Sequence, residues 1–84
     1  MTNVRVRYFA GARGAAGTPE ETVAVPEGAT VRDLVAELGG RHGEKLTRVL
    51  TACSFLLDGV AVRDLSTPVP GDAGLDVLPP FAGG

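Results

Sequence analysis

The sequence holds a single cysteine, Cys53, a single histidine, His42, and a single lysine, Lys45, among its 84 residues. Each scarcity excludes something. One cysteine cannot close an internal disulfide, so the fold stands on packing alone, which suits a reducing compartment. With no second thiol in the chain, Cys53 reads as a small, mostly buried structural residue and not as a catalytic nucleophile. His42 has no cysteine, histidine or carboxylate pair at ligand spacing around it, so no metal site is expected and the residue reads as a surface one. A lone lysine limits the ways in which this chain can itself be modified through an isopeptide bond. No apolar run approaches the roughly 20 residues of a membrane span, and Met1-Thr2-Asn3-Val4-Arg5 lacks the basic start and apolar core of a signal peptide. The expected location is the cytoplasm, with no membrane partner. There is also no excess of one charge. The formal net charge is −2 with both signs interspersed, which offers no electrostatic footprint for nucleic acid.

What remains is one domain's worth of chain with an ordinary apolar fraction, 44%, that of a globular protein. At this size the stability is expected to be only about 4–13 kcal/mol. Excavating an enzyme pocket of roughly 300–1,000 Å³ would consume much of such a core. Size therefore favours a binding or carrier role over catalysis.

Val4, Val6 and Tyr8 alternate with Arg5, Arg7 and Phe9, the period-two pattern of a half-buried strand. Gly11, Gly14 and Gly17, separated by small residues and followed by Pro19, predict a loop. A second alternation over Glu21 to Val25, with Val23 and Val25 on one face, ends at Pro26-Glu27-Gly28 and predicts a hairpin with the first strand. Thr30 is a good N-cap, and Asp33 can return a hydrogen bond to it. Val31, Leu34, Val35 and Leu38 then form one apolar stripe of a helix that Gly39-Gly40 should stop. Asp33 is thus a cap, and Glu37 and Glu44 belong to a solvated face and not to an acid/base pair. Leu46, Val49 and Leu50 predict a short second helical turn within Arg41 to Thr51. Phe55-Leu56-Leu57, then Asp58-Gly59, then Val60-Ala61-Val62 read as a hairpin, because Asp-Gly readily adopts the positive φ angles of a tight primed turn. Pro68 and Pro70 break the chain before a final short strand over Leu75 to Leu78. The expected fold class is α+β: a mixed sheet of about five strands crossed by one main helix, the arrangement of a ubiquitin-like β-grasp. Arg5, Arg7 and Arg63 fall on the exposed side of that sheet.

The domain is expected over 1–78, and residues 79–84 form an extended tail, Pro79-Pro80-Phe81-Ala82-Gly83-Gly84. Six extended residues reach roughly 20 Å. Two prolines restrict the free tail beforehand and so lower the cost of docking it, about 1–2 kcal/mol per ordered residue. Phe81 is a candidate anchor in a partner's groove. Gly83 and Gly84 carry no side chains, so a terminal carboxylate can pass through a narrow channel. A free α-carboxyl group titrates at about 3.3–3.7, is ionised at pH 7 and is a poor electrophile. It would need activation before it could react.

Several segments together resemble the MoaD/ThiS family of ubiquitin-like sulfur carriers, and within it the small subunits of molybdopterin synthase. They are Val6-Arg7-Tyr8-Phe9-Ala10 with Arg13, Gly28-Ala29-Thr30-Val31 with Leu34, Leu57-Asp58-Gly59, and Pro70-Gly71-Asp72 leading to Pro79-Pro80-Phe81-Ala82-Gly83-Gly84. The resemblance implies a β-grasp carrier and not an enzyme. It implies that an E1-like adenylating enzyme uses ATP to activate Gly84, and that a sulfur nucleophile then leaves a thiocarboxylate there. It also implies a large catalytic synthase subunit that accepts the tail through Pro80, Phe81, Ala82 and Gly83 and consumes the sulfur in molybdenum cofactor biosynthesis. No cofactor is expected to be bound by the chain itself. Related carriers serve thiamin, cysteine, tRNA or secondary-metabolite pathways, and related modifiers join their terminal glycine to a target lysine. A binding module with an unreactive tail is the third possibility.

Overall fold

The computed structural model describes residues 1–80. β1 (Thr2–Tyr8) and β2 (Glu20–Val25) form the expected antiparallel hairpin, with Val4 opposite Val23. α2 (Val31–His42) and α3 (Glu44–Leu50) follow, then β3 (Ser54–Leu57), β4 (Val60–Ala61) and β5 (Gly74–Leu78); the short α1 (Ala10–Ala16) lies between the first two strands. The strand order is β2-β1-β5-β3-β4. β5 takes the centre, parallel to β1 and antiparallel to β3. A helix crossing a five-stranded mixed sheet in this order is the β-grasp.

One face of the sheet carries the core. Val4, Val6 and Tyr8 of β1, Val23 and Val25 of β2 and Leu75 and Val77 of β5 are buried against Val31, Leu34 and Leu38 of α2 and Leu46 and Leu50 of α3. Full burial of a side chain of this size contributes about 1.5–3 kcal/mol relative to exposure. α2 begins with a complete capping box: Thr30 Oγ1 accepts from the Asp33 N–H at 3.2 Å, and Asp33 Oδ2 accepts from the Thr30 N–H at 3.0 Å. At the β3–β4 turn, Asp58 and Gly59 take φ of 50° and 83°, the two positive angles of a primed hairpin turn. Asp58 also ties that turn to the start of β5, donating its N–H to Gly74 O and accepting the Gly74 N–H on Oδ1, both at 2.8 Å.

Two segments depart from the sequence pattern. The glycine-rich stretch over Gly11 to Gly17, expected to be a loop, is largely the helix α1. Its glycines disfavour helix, but Ala12, Ala15 and Ala16 favour it, and the burial of Ala12 anchors the segment. Gly17 ends α1 in the left-handed region at φ 78°, its N–H bonded to Arg13 O. The second departure is in α2, which runs through Gly39-Gly40 to His42. Gly39 lies against α3, and a Cβ there would stand 2.7 Å from Thr47 Oγ1. The glycine is a packing residue, and the helix ends instead at Gly43, φ 93°. The second helical turn is a seven-residue helix, α3, with Leu46 and Leu50 buried.

Candidate functional site: the tail root and the open sheet face

Because β5 is central, the chain leaves the sheet from its middle and not from an edge. Tyr8 lies beside Val77, Ser54 is opposite Leu78, and the Phe9 N–H donates to Val77 O at 3.2 Å. Pro79 and Pro80 continue from a strand held on both sides. Strand alternation separates the faces. Leu75 and Val77 point into the core, so Asp76 and Leu78 point to the open side of the sheet.

The pairings place Arg7, Asp76, Leu56 and Ala61 in one row across that open face. Arg7 Nε donates to Asp76 Oδ1 at 2.7 Å and Arg7 Nη2 to Oδ2 at 3.0 Å, a two-pronged ion pair. The same guanidinium stands 5.8 Å from the centroid of the Phe9 ring. Phe9, Leu56, Leu78 and Pro79 are half-buried. They form an apolar surround to the tail root. Farther from it the open face turns polar, in a shallow concavity lined by Arg5, Glu20, Thr22, Asp58 and Asp72.

Of the tail residues singled out from sequence, Pro80 is exposed at the end of β5's continuation. Phe81, Ala82, Gly83 and Gly84 lie outside the described residues. Arg5 and Arg7 do lie on the open side, and Arg7 is committed to Asp76. The contribution of Asp76 and Leu78 was hidden in the sequence. Their alternation marks them as outward, but only the parallel pairing of chain-distant β1 and β5 sets them beside Arg7 and Phe9.

The helix-bearing side has an apolar groove between α2, α3 and β3, lined by Val35, Leu50, Cys53, Phe55, Val62 and Leu65. Cys53 is half-buried just before β3, and its Sγ donates to Val49 O at 3.2 Å. Burial pushes its thiol pKa up, the opposite of what a nucleophile needs. His42 is not a surface residue. Its side chain is 17% exposed and Nε2 bonds Glu21 Oε2, because α2 continues past the glycines and carries it over β2. Among the described residues, no three His, Cys, Asp or Glu side chains gather as they would for a metal ion. No described helix is long and apolar enough to cross a membrane.

Residues 6–84 match the ThiS family. The chain belongs to the ThiS family. One relative of this member is the molybdopterin synthase sulfur carrier subunit of Chlamydomonas reinhardtii, 35% identical over 83 residues, which are 96% of this chain and 98% of that one. Solved structures agree. The Pyrococcus furiosus protein described as molybdopterin converting factor subunit 1 superposes with a TM-score of 0.87 at 31% identity, covering 96% of this chain and 100% of its own. Small archaeal modifier protein 1 of Haloferax volcanii superposes with a TM-score of 0.85 at 26% identity, again over 96% and 100%.

Proposed function

We propose that this ThiS-family protein is a sulfur carrier, the small subunit of a molybdopterin synthase, working in the cytoplasm as a co-substrate and not as an enzyme. The observation that carries the reading is the near full-length likeness to a sulfur carrier subunit of that synthase. The geometry supports it: the tail leaves the central strand, beside an apolar surround on an open sheet face where a larger protein can seat itself around the root. In this reading the Gly84 carboxylate attacks the α-phosphate of ATP on an E1-like activating enzyme, releasing pyrophosphate and forming an acyl-adenylate. A sulfur nucleophile delivered as sulfide then attacks the carbonyl carbon, AMP leaves, and a thiocarboxylate remains. A large synthase subunit takes the tail in through Pro80, Phe81, Ala82 and Gly83 and removes the sulfur for molybdenum cofactor biosynthesis.

Intact mass spectrometry after incubation with an adenylating enzyme, ATP and a sulfur source tests this. The expected result is a mass gain equal to one oxygen replaced by sulfur, mapped to Gly84 and abolished when one bulky residue is appended after it. An unchanged mass with every candidate activator overturns the reading.

A second reading rests on the likeness to a small archaeal modifier protein. There the activated carbonyl of Gly84 is captured by a lysine amine of a target, with loss of AMP. Adducts that survive boiling in denaturant and reductant favour this reading. A free thiocarboxylate as the sole product excludes it.

A further inference from the structure

The end of α2 meets the sheet at one carboxylate. Glu21 occupies an inward position of β2, and its side chain is 16% exposed. Its Oε2 accepts from Tyr8 Oη at 2.6 Å and bonds His42 Nε2, while Oε1 accepts from Arg41 Nη1 at 3.3 Å. The Tyr8 ring stands edge-on to the His42 imidazole, with centroids 5.9 Å apart and an interplanar angle of 86°. The titratable and charged groups facing Glu21 are thus Tyr8 from β1 and Arg41 and His42 from α2. Glu37 stands behind Arg41 at 3.8 Å.

The segment so held has little helical preference of its own. A glycine within a helix costs about 0.5–1 kcal/mol relative to alanine, and the last turn of α2 contains Gly39 and Gly40 before closing at Gly43. Packing against Thr47 requires the first of these. Nothing requires the second, because a Cβ on Gly40 would meet no atom within 4 Å. Among the described residues, the polar side-chain ties from this turn to the sheet are those of Arg41 and His42 to Glu21.

We infer that Glu21 is the pin of a latch: ionised, it holds the last turn of α2 to the sheet, and protonated, it releases Gly40 to His42 while the sheet stays folded. On protonation the carboxyl loses the charge that attracts Arg41 and gives up acceptor capacity to become a donor itself. Gly39, Gly40 and Gly43 also line the apolar groove on the helix side, so release reshapes one wall of that groove. The electrostatics agree in sign. Burial alone would raise the Glu21 pKa, but hydrogen bonds from Tyr8 and His42, together with the charges of His42 and Arg41, outweigh it and hold the group below its ordinary value. Such a group stabilises the latched state fully above the unfolded glutamate value of about 4.3, and the contribution is lost as pH falls through the lower folded value.

The test is residue-resolved amide exchange by NMR on the whole chain between pH 7 and pH 3, expressed as protection factors. Its reporter is the Gly43 N–H, which bonds Gly39 O at 2.8 Å; Val6 and Val77 report on the sheet. In the wild type, Gly43 should lose protection at a pH where Val6 and Val77 keep theirs. Glu21→Gln should lower Gly43 protection at pH 7 by about tenfold, the effect of weakening hydrogen bonds to a charged group. Adding Gly40→Ala to that variant should restore much of the loss by raising the turn's own helicity. Wild-type protection at Gly43 in the Glu21→Gln protein overturns the latch. So does a wild-type acid transition in which Gly43, Val6 and Val77 lose protection together, a result that stands even if the variant does not fold.

Discussion

Arg7 and Asp76 face each other across the parallel pair of β1 and β5, and the guanidinium closes two hydrogen bonds, 2.7 and 3.0 Å, on the carboxylate. Their sequence separation is 69 residues. The pair sits two residues before the end of β5, on the face that surrounds the tail root. The Asp76 side chain is 13% exposed and that of Arg7 is 54% exposed, so the arginine presents its outer edge and its contact with Phe9 to whatever docks there.

Arg7→Ala should therefore separate docking from folding. Arginine is a frequent interface anchor, and under the proposed function its loss is expected to lower kcat/KM for adenylation by the activating enzyme about tenfold. Removing the half-exposed guanidinium uncovers the Asp76 carboxylate to water, and ion pairs at the surface contribute little to stability, so thermal denaturation of the variant should shift only slightly. An unchanged kcat/KM with a lowered melting temperature would make the pair a structural one.

Gly39 and Gly40 should answer differently to alanine. At Gly40 the space is open and the backbone helical, so Gly40→Ala should stabilise the fold by about 0.5–1 kcal/mol. At Gly39 the new methyl meets Thr47 Oγ1, whose hydrogen bond to Gly43 O at 2.9 Å would be broken by turning away. Gly39→Ala should destabilise the wild type yet become neutral or stabilising in a Thr47→Ala background. Urea denaturation of the two singles and the double checks the coupling.

The capping box at the start of α2 has a pH signature. Hydrogen bonds from the Thr30 backbone and hydroxyl hold the Asp33 carboxyl below its ordinary value. The stabilisation is present above the unfolded aspartate value of about 3.9 and disappears as pH falls through the lower folded one. Thr30→Ala should cost about 1 kcal/mol near neutral pH. It removes the hydroxyl but leaves the backbone donor, so the Asp33 pKa followed by carbon-detected NMR should rise only part of the way back.

Ala10 turns the chain from β1 into α1 with φ of 48°, a left-handed conformation that costs a non-glycine residue roughly 1–2 kcal/mol. Ala10→Gly should relieve much of that and raise the urea midpoint. A fall in the midpoint would mean that the greater freedom of glycine in the unfolded chain outweighs the relief.

The hairpins, the capping box and the apolar stripe of α2 were all legible in the sequence. Each is specified within a dozen residues, by alternation, by an N-cap followed three residues later by its partner, or by an Asp-Gly turn whose left-handed angles few other residues accept. The tail's composition was legible for the same reason. What tertiary structure decided are the features that depend on contacts between distant segments. The seven residues of α1 are helical because Ala12 has a core to enter, although three glycines within Gly11 to Gly17 argue locally for a loop. α2 passes through Gly39-Gly40 because Thr47 demands a bare backbone there and Glu21 holds the turn beyond. The half-buried place of His42 follows from that extension, and the neighbourhood of the tail root follows from β5 entering between β1 and β3. Local patterns record the preferences of a segment in isolation, whereas the weaker ones among them, worth about 1 kcal/mol per residue, are overruled when burial or a hydrogen bond elsewhere in the chain is worth more.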